Sequence, residues 1–264
     1  MVPTDKAQNN IAVVCKKFFI DSLLKEVSFS DSKENKQSKS TYVLQNITAT
    51  EVIEKHKLEI KDYNISIPTK QLSLPFLFWI PKMHKTPSKQ RFIAASYSCS
   101  TKAVSSILTK VLKLIYQSHK FYCDRIHAYT GYNCMWIIQN SLEIHEVLHT
   151  CRSKARNLQT YDFSTLYTSI PHDKLKVSSL VIKSFDSQNW KVICVKHDKA
   201  TWCQIEKKNG IYLSCDAVVY LLHWLIDNTY VSIGNRIFKQ CIGIPMGTDC
   251  APLPRQFVLV RLRI

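Results

Sequence analysis

LPFLFWIPKMHKTPSKQRFIAA, residues 74–95, is the stretch on which the fold turns. Two apolar runs rich in aromatic and branched side chains, LPFLFWI and RFIAA, flank the basic segment PKMHKTPSKQ. Runs of that length bounded by turn formers predict two strands, and Pro87 with Ser88 predicts the reversal between them. The result is a hairpin with a cationic tip: Lys82, Lys85 and Lys89 lie in the connection, and Arg91 opens the return strand.

Toward the C-terminus, residues 101–116 and 136–151 carry apolar side chains at helical period, and residues 157–162 read as a strand ending in Asp162. Residues 212–227, YLSCDAVVYLLHWLID, fit a buried helix. In TYVSIGNRIFKQ, two strand-like halves surround Gly234 and Asn235, a pair that tolerates the positive φ of a tight hairpin. Toward the N-terminus, residues 11–27 predict an amphipathic helix and residues 28–42 a polar, mobile linker. A second helix is expected over residues 48–58, with Thr48 and Glu51 in capping-box spacing. The organisation expected is an N-terminal helical extension with its linker over residues 1–70, a second region over 71–160, and a third over 161–264.

The chain has 264 residues, 45% hydrophobic and 21% charged, which excludes wholesale disorder, collagen and coiled coil. The longest apolar stretch, residues 217–226, is interrupted by His223 and bounded by Asp216 and Asp227, too short for a membrane span. The first ten residues lack a basic stretch followed by an apolar one, so the expectation is an intracellular protein, nuclear or cytoplasmic, without a membrane partner. Ten scattered cysteines with no CxxC pair predict free thiols. Thirty-six Lys and Arg oppose twenty Asp and Glu, and the excess is uneven: +2 over residues 1–70, +9 over 71–160 and +5 over 161–264. Between residues 71 and 142 the sole acid is Asp124. Such a field favours nucleic acid as partner, with a basic surface kept for solubility as the plain alternative.

Two further segments hold residues that can do chemistry. In TYDFSTLYTSIPH, residues 160–172, a carboxylate at a strand end, Asp162, precedes Tyr167 by five positions. An oxygen ligand there can hold a divalent cation while the ring walls a pocket, although an aspartate at a strand end also serves as a cap or turn residue. In QCIGIPMGTDCAP, residues 240–252, paired Gly and Pro suit a loop where backbone approaches a partner closely, and Gln240 can read a base or sugar edge; a structural turn is the alternative.

In order along the chain, FWIPKMHKTPSKQRFIAASYSCSTK, NCMWIIQNS, DFSTLYTSIPH and QCIGIPMGTDCAP resemble the reverse transcriptase of Penelope-like retroelements, relatives of the telomerase catalytic subunit. The resemblance covers most of residues 10–253. It implies an α+β fold of the right-hand polymerase type, with fingers over 71–160 and a partial palm, an antiparallel sheet with helices, over 161–264. It implies an RNA-directed DNA polymerase, a nucleotidyltransferase taking an RNA template, a DNA primer and deoxynucleoside triphosphates, with two Mg²⁺ ions. By that resemblance Asp162 and the Phe163 carbonyl hold metal, and Asp162 is catalytic. Lys82 and Arg91 clamp the triphosphate, Tyr167 excludes a 2′-hydroxyl, and Gln240 contacts the nucleotide. Gly243, Pro245, Met246 and Gly247 hold the template strand, with Lys85 and Lys89 adding field.

The sequence also departs from that family. Its members carry a later motif C with two adjacent aspartates, and these 264 residues contain no Asp-Asp pair. Pro254 and Arg255 stand where a long apolar helix is expected. The expectation is therefore a retroelement fragment truncated before motif C and inactive alone, so that enzyme activity stays open. Asp249 belongs to GTDCAP and replaces neither aspartate. A non-catalytic nucleic-acid-binding remnant is the alternative. A remoter one is a zinc metallopeptidase, because His145, Glu146 and His149 form a literal HExxH, without a third ligand at a characteristic spacing. Oligomeric state, template preference and priming mode are not legible.

Overall fold

The computed structural model describes residues 1–27, 41–67, 72–86, 88–135, 140–151, 159, 166–206, 210–246, 248–250 and 252. The chain begins with strands β1 (Val2–Thr4) and β2 (Ala7–Ala12), then helix α1 (Lys16–Glu26), strand β3 (Tyr42–Gln45) and helix α2 (Ala49–Ile60). The expected hairpin follows as β4 (Phe76–Lys82) and β5 (Lys89–Ala95), and then come α3 (Lys102–Thr130) and α4 (Ser141–Thr150). Short helices α5 (Leu166–Ser169) and α6 (His172–Leu175) precede α7 (Ser178–Gln188). Strands β6 (Val192–Val195), β7 (Ala200–Cys203) and β8 (Ile211–Ser214), helix α8 (Cys215–Asp227), and strands β9 (Tyr230–Ile233) and β10 (Arg236–Gln240) complete the described elements. The fold is mixed α+β, with largely antiparallel sheets and helices.

A five-stranded sheet runs in the order β3-β10-β9-β4-β5, antiparallel except where β4 meets β9 in parallel. Alternate residues sort to its two faces, as pleating requires. Leu77, Trp79, Val231 and Phe238 pack with Leu23 and Val27 of the α1 segment. Tyr230 and Ile237, their immediate neighbours in β9 and β10, pack with Val52 and Ile53 of α2. One helix from the first sixty residues thus covers each face. Trp79 anchors the α1 side: its ring stacks on Phe19 at 5.1 Å, and its indole N–H donates to the Phe19 carbonyl at 3.0 Å.

A second body of core joins α3, α7 and α8 to the three-stranded sheet β7-β6-β8 through Leu108, Leu112, Val181, Ile193, Leu213 and Leu221. Among the described residues no helix is long and apolar enough to cross a membrane, and all ten cysteines are unpaired.

Local signals placed several boundaries. Thr48 and Glu51 form the anticipated capping box, with the Glu51 side chain accepting the Thr48 N–H at 2.6 Å. Gly234, at φ +56°, makes the β9–β10 turn. Other boundaries moved. The helix expected from residue 11 begins at Lys16, because β2 pairs with β1. The helix expected over 101–116 continues to Thr130 and ends at Gly131, whose φ of +73° provides a left-handed C-cap. The helix expected over 212–227 loses its first residues to β8, and Ser214 caps its start by accepting the Ala217 N–H. Tyr42, assigned to the linker, is buried in β3. The helix expected from 136 starts at Ser141, and residues 136–139 lie outside the described set, as do most of the strand expected over 157–162 and residues 28–40 of the linker.

His56, on α2, is fully buried between Trp224 and Tyr230, with Nδ1 at 2.8 Å from Ser100 Oγ. Burial pushes its pKa down to about 4, with Glu59 and Asn228 partly opposing. A folded-state value below the ordinary 6.5 means that the unfolded chain takes up the proton first. Stability is therefore complete above about pH 6.5 and declines toward pH 4, by about 3 kcal/mol in total. Thermal unfolding across that range should show the decline, reduced in His56→Gln; an unchanged profile in the variant would assign it to other groups. Replacing Trp79 by Ala should cost about 3–5 kcal/mol in denaturant unfolding, the usual loss for a large buried aromatic.

Candidate nucleotide and nucleic-acid site

The β4–β5 ladder sets the geometry of the basic hairpin. Ile80 faces Arg91, Pro81 faces Gln90 and Lys82 faces Lys89, and the Lys85 N–H closes the turn on the Lys82 carbonyl at 3.1 Å. Lys85 and Lys89 are exposed; Lys82 and Arg91 are half-buried. With these cations at the connection, the hairpin presents a positive surface on a two-stranded arm. Arg91 is tied at 2.9 Å to the buried carboxylate of Asp5.

The segment after β10 is fastened on three sides. Ala94, on the edge strand β5, donates its N–H to the Met246 carbonyl at 2.8 Å. Gly243 N–H donates to the Ile170 carbonyl at 2.8 Å, beside a bridge between Pro171 and Ile242. At the start of α3, Lys102 pairs with Asp249 at 2.7 Å, and Ser105 Oγ accepts the Cys250 N–H at 3.2 Å. Gly243 has φ +78°, a left-handed conformation that suits glycine. Its carbonyl lies 2.8 Å from His172 Nε2. A carbonyl only accepts, so Nε2 carries the proton. Burial lowers the His172 pKa, with the Gly243 bond and Asp227 opposing in part.

These contacts bring three separated sequence segments together: the hairpin of residues 76–95, the residues directly after Tyr167, and the loop of residues 241–250. Gly243 and Pro245 are buried in that junction and Met246 is half-buried. Gln240 points inward instead of toward an open cleft. It is fully buried, its amide donates to the Ile242 carbonyl at 2.8 Å, and its Oε1 has no hydrogen-bond partner among the described residues. Asp162, Phe163 and Gly247 lie outside the described residues, and Tyr167 is placed only by its backbone in α5.

Among the described residues no group of three His, Cys, Asp or Glu is arranged to hold a metal ion. Asp249, the acid within the loop, is engaged by Lys102. His145 and His149 do share a face of the exposed helix α4, with ring centroids 6.4 Å apart, but no described residue adds a third ligand. His172, Lys102 and Asp5 were not singled out from the sequence. His172 ends one of the motif segments, so its place there was the available signal; the partners of Lys102 and Asp5 are remote in the chain and left none.

No protein-family profile and no curated protein matches the sequence. Among solved structures, the chain is similar to apo telomerase from Candida tropicalis at 12% identity and a TM-score of 0.44, over 81% of this chain and 38% of that one. It is similar to the same telomerase truncated from its C-terminal domain at 12% identity and a TM-score of 0.44, over 80% and 43% of the two chains. This chain thus spans about two fifths of those structures. A likeness that loose carries no argument about the site, which rests on its own geometry.

The left-handed turn at Gly243 provides a direct check. Gly243→Ala should destabilise the protein by about 1–2 kcal/mol, the cost of holding a Cβ-bearing residue in that region. Thermal unfolding of the variant measures it, and an unchanged midpoint would mean that the loop does not hold this turn.

Proposed function

We propose that these residues form the fingers and part of the palm of a retroelement reverse transcriptase of the Penelope-like kind. The partners in this reading are an RNA template and a DNA primer, and deoxynucleoside triphosphates are the substrate. The observation that carries the reading is the Ala94–Met246 hydrogen bond. It docks the loop of residues 241–250 on the basic hairpin, while the Gly243–Ile170 bond holds the same loop against the segment that follows Tyr167. Segments some 150 residues apart in sequence are thereby joined directly.

Each group then has a task suited to its chemistry. Arg91 presents a planar fork and Lys82 a point charge, the pair of shapes that suits triphosphate oxygens. Lys85 and Lys89, at the exposed tip, extend the positive field over the approaching polyanion. Gly243, Pro245, Met246 and Gly247 are assigned to the template strand, and Tyr167 to selection against a 2′-hydroxyl. Asp162 and the Phe163 carbonyl are assigned to Mg²⁺, which when bound would activate the primer hydroxyl and neutralise the departing pyrophosphate. The described residues add no further carboxylate cluster for it, so their own part is binding and orientation.

Binding and chemistry separate in the test. A polypeptide of these 264 residues, with no adjacent aspartates, should bind an RNA-templated DNA primer and add no deoxynucleotide to it. Fluorescence anisotropy should show affinity falling on the order of 100-fold between about 50 and 200 mM salt, as about four phosphate contacts require. Failure to bind the duplex at low salt, or binding indifferent to salt, contradicts the reading. Duplex binding with no measurable affinity for a deoxynucleoside triphosphate supports instead a nucleic-acid-binding protein without polymerase chemistry.

A further inference from the structure

The contact between Arg91 and the N-terminal hairpin goes beyond this assignment of roles. Asp5 lies in the turn between β1 and β2, directly before Lys6, whose φ of +63° is left-handed. That turn is pinned to the basic arm, since the Asp5 N–H donates to the Pro81 carbonyl on β4 at 3.0 Å. The Asp5 side chain is 4% exposed, its Oδ1 lies 2.9 Å from Arg91 Nη1, and its Oδ2 has no hydrogen-bond partner among the described residues.

A buried carboxylate with one cationic partner among the described residues is an unusual tether. If Arg91 swung away to meet a ligand, Asp5 would remain as an uncompensated buried charge, the costliest way to break such a pair. Asp5 cannot follow, because its own backbone is bonded to Pro81. Arg91 is therefore held in place, with one nitrogen engaged and a side chain still 35% exposed. A guanidinium has five N–H donors in a rigid fork, so fixing one edge orients the other. Lys82, Lys85 and Lys89 form no ion pair with a described residue.

We infer that Asp5 is a positioning residue for triphosphate binding: it holds the Arg91 guanidinium so that its free edge meets the phosphate oxygens. This rests on the triphosphate role proposed for Arg91. Substrate-site order then depends on a residue of the N-terminal hairpin, 86 positions before the arginine in the chain. The opposite effect is physically available, since a carboxylate beside Arg91 also lowers the local positive potential and can compete with an anion for it.

Titration calorimetry with deoxyadenosine triphosphate distinguishes them, using the 264-residue chain, Asp5→Ala, Asp5→Asn, Arg91→Ala and the Asp5→Ala/Arg91→Ala double variant. Each protein's thermal midpoint is recorded alongside. Arg91→Ala should weaken binding about tenfold or more, as loss of a charge-assisted contact does. Asp5→Ala should weaken it about fivefold, and Asp5→Asn less, because the amide keeps an acceptor without the charge. The double variant should bind no more weakly than Arg91→Ala, since Asp5 acts through Arg91 alone. If Asp5→Ala does not fold, the same comparison is made with Asp5→Asn and its double variant. Unchanged or tighter binding in the Asp5 variants while Arg91→Ala is weakened overturns the positioning role, and so does an Asp5 effect that persists without Arg91. An Arg91→Ala protein that binds like wild type instead removes the triphosphate reading itself.

Discussion

The parallel contact between β4 and β9 is the constraint on which the arrangement depends. Phe76 pairs with Ser232, and the Ser232 N–H donates to the Pro75 carbonyl at 2.8 Å. This joint unites two hairpins that are each local in sequence, β4–β5 and β9–β10, into one sheet. The chain leaving β10 can then reach the far edge of that sheet, where Met246 accepts the Ala94 N–H. An edge strand with open backbone groups is a liability, and here the loop covers part of it. The same bond gives the basic arm and the loop a fixed mutual position.

The N-terminal residues belong to this arrangement structurally. β3 extends the five-stranded sheet beyond β10, α1 and α2 cover its opposite faces, and the β1–β2 turn supplies the partner of Arg91. Removing the first sixty residues would expose Trp79, Phe238 and Ile237 to water. Burial of these side chains, each worth roughly 1.5–3 kcal/mol or more, holds the sheet that carries the arm.

What the sequence made legible was local. Both hairpins, the Thr48 capping box and the Gly234 turn are encoded within a few residues of where they act, by alternation, turn chemistry or spacing. What it concealed was partner choice. The start of α1 shifted because β2 found a strand to pair with, and the IAVV run carries apolar residues compatible with either period. The expectations from sequence did not include the sheet β7-β6-β8. At Gln240, residue type alone gave no orientation. Gln240 lies two positions after Phe238 on β10 and shares its buried face, so strand alternation alone would have turned its amide inward. The Asp5–Arg91 pair leaves no trace in spacing at all.

The central claim is that the basic hairpin and the loop of residues 241–250 are two sides of one nucleotide site. Photolabelling with an 8-azido deoxyadenosine triphosphate, followed by peptide mapping, tests it most directly. Label should fall on peptides from both residues 82–95 and residues 241–250, and unlabelled triphosphate should suppress both together. Label confined to one of them, or lodged on α4 or the three-stranded sheet, would contradict the account.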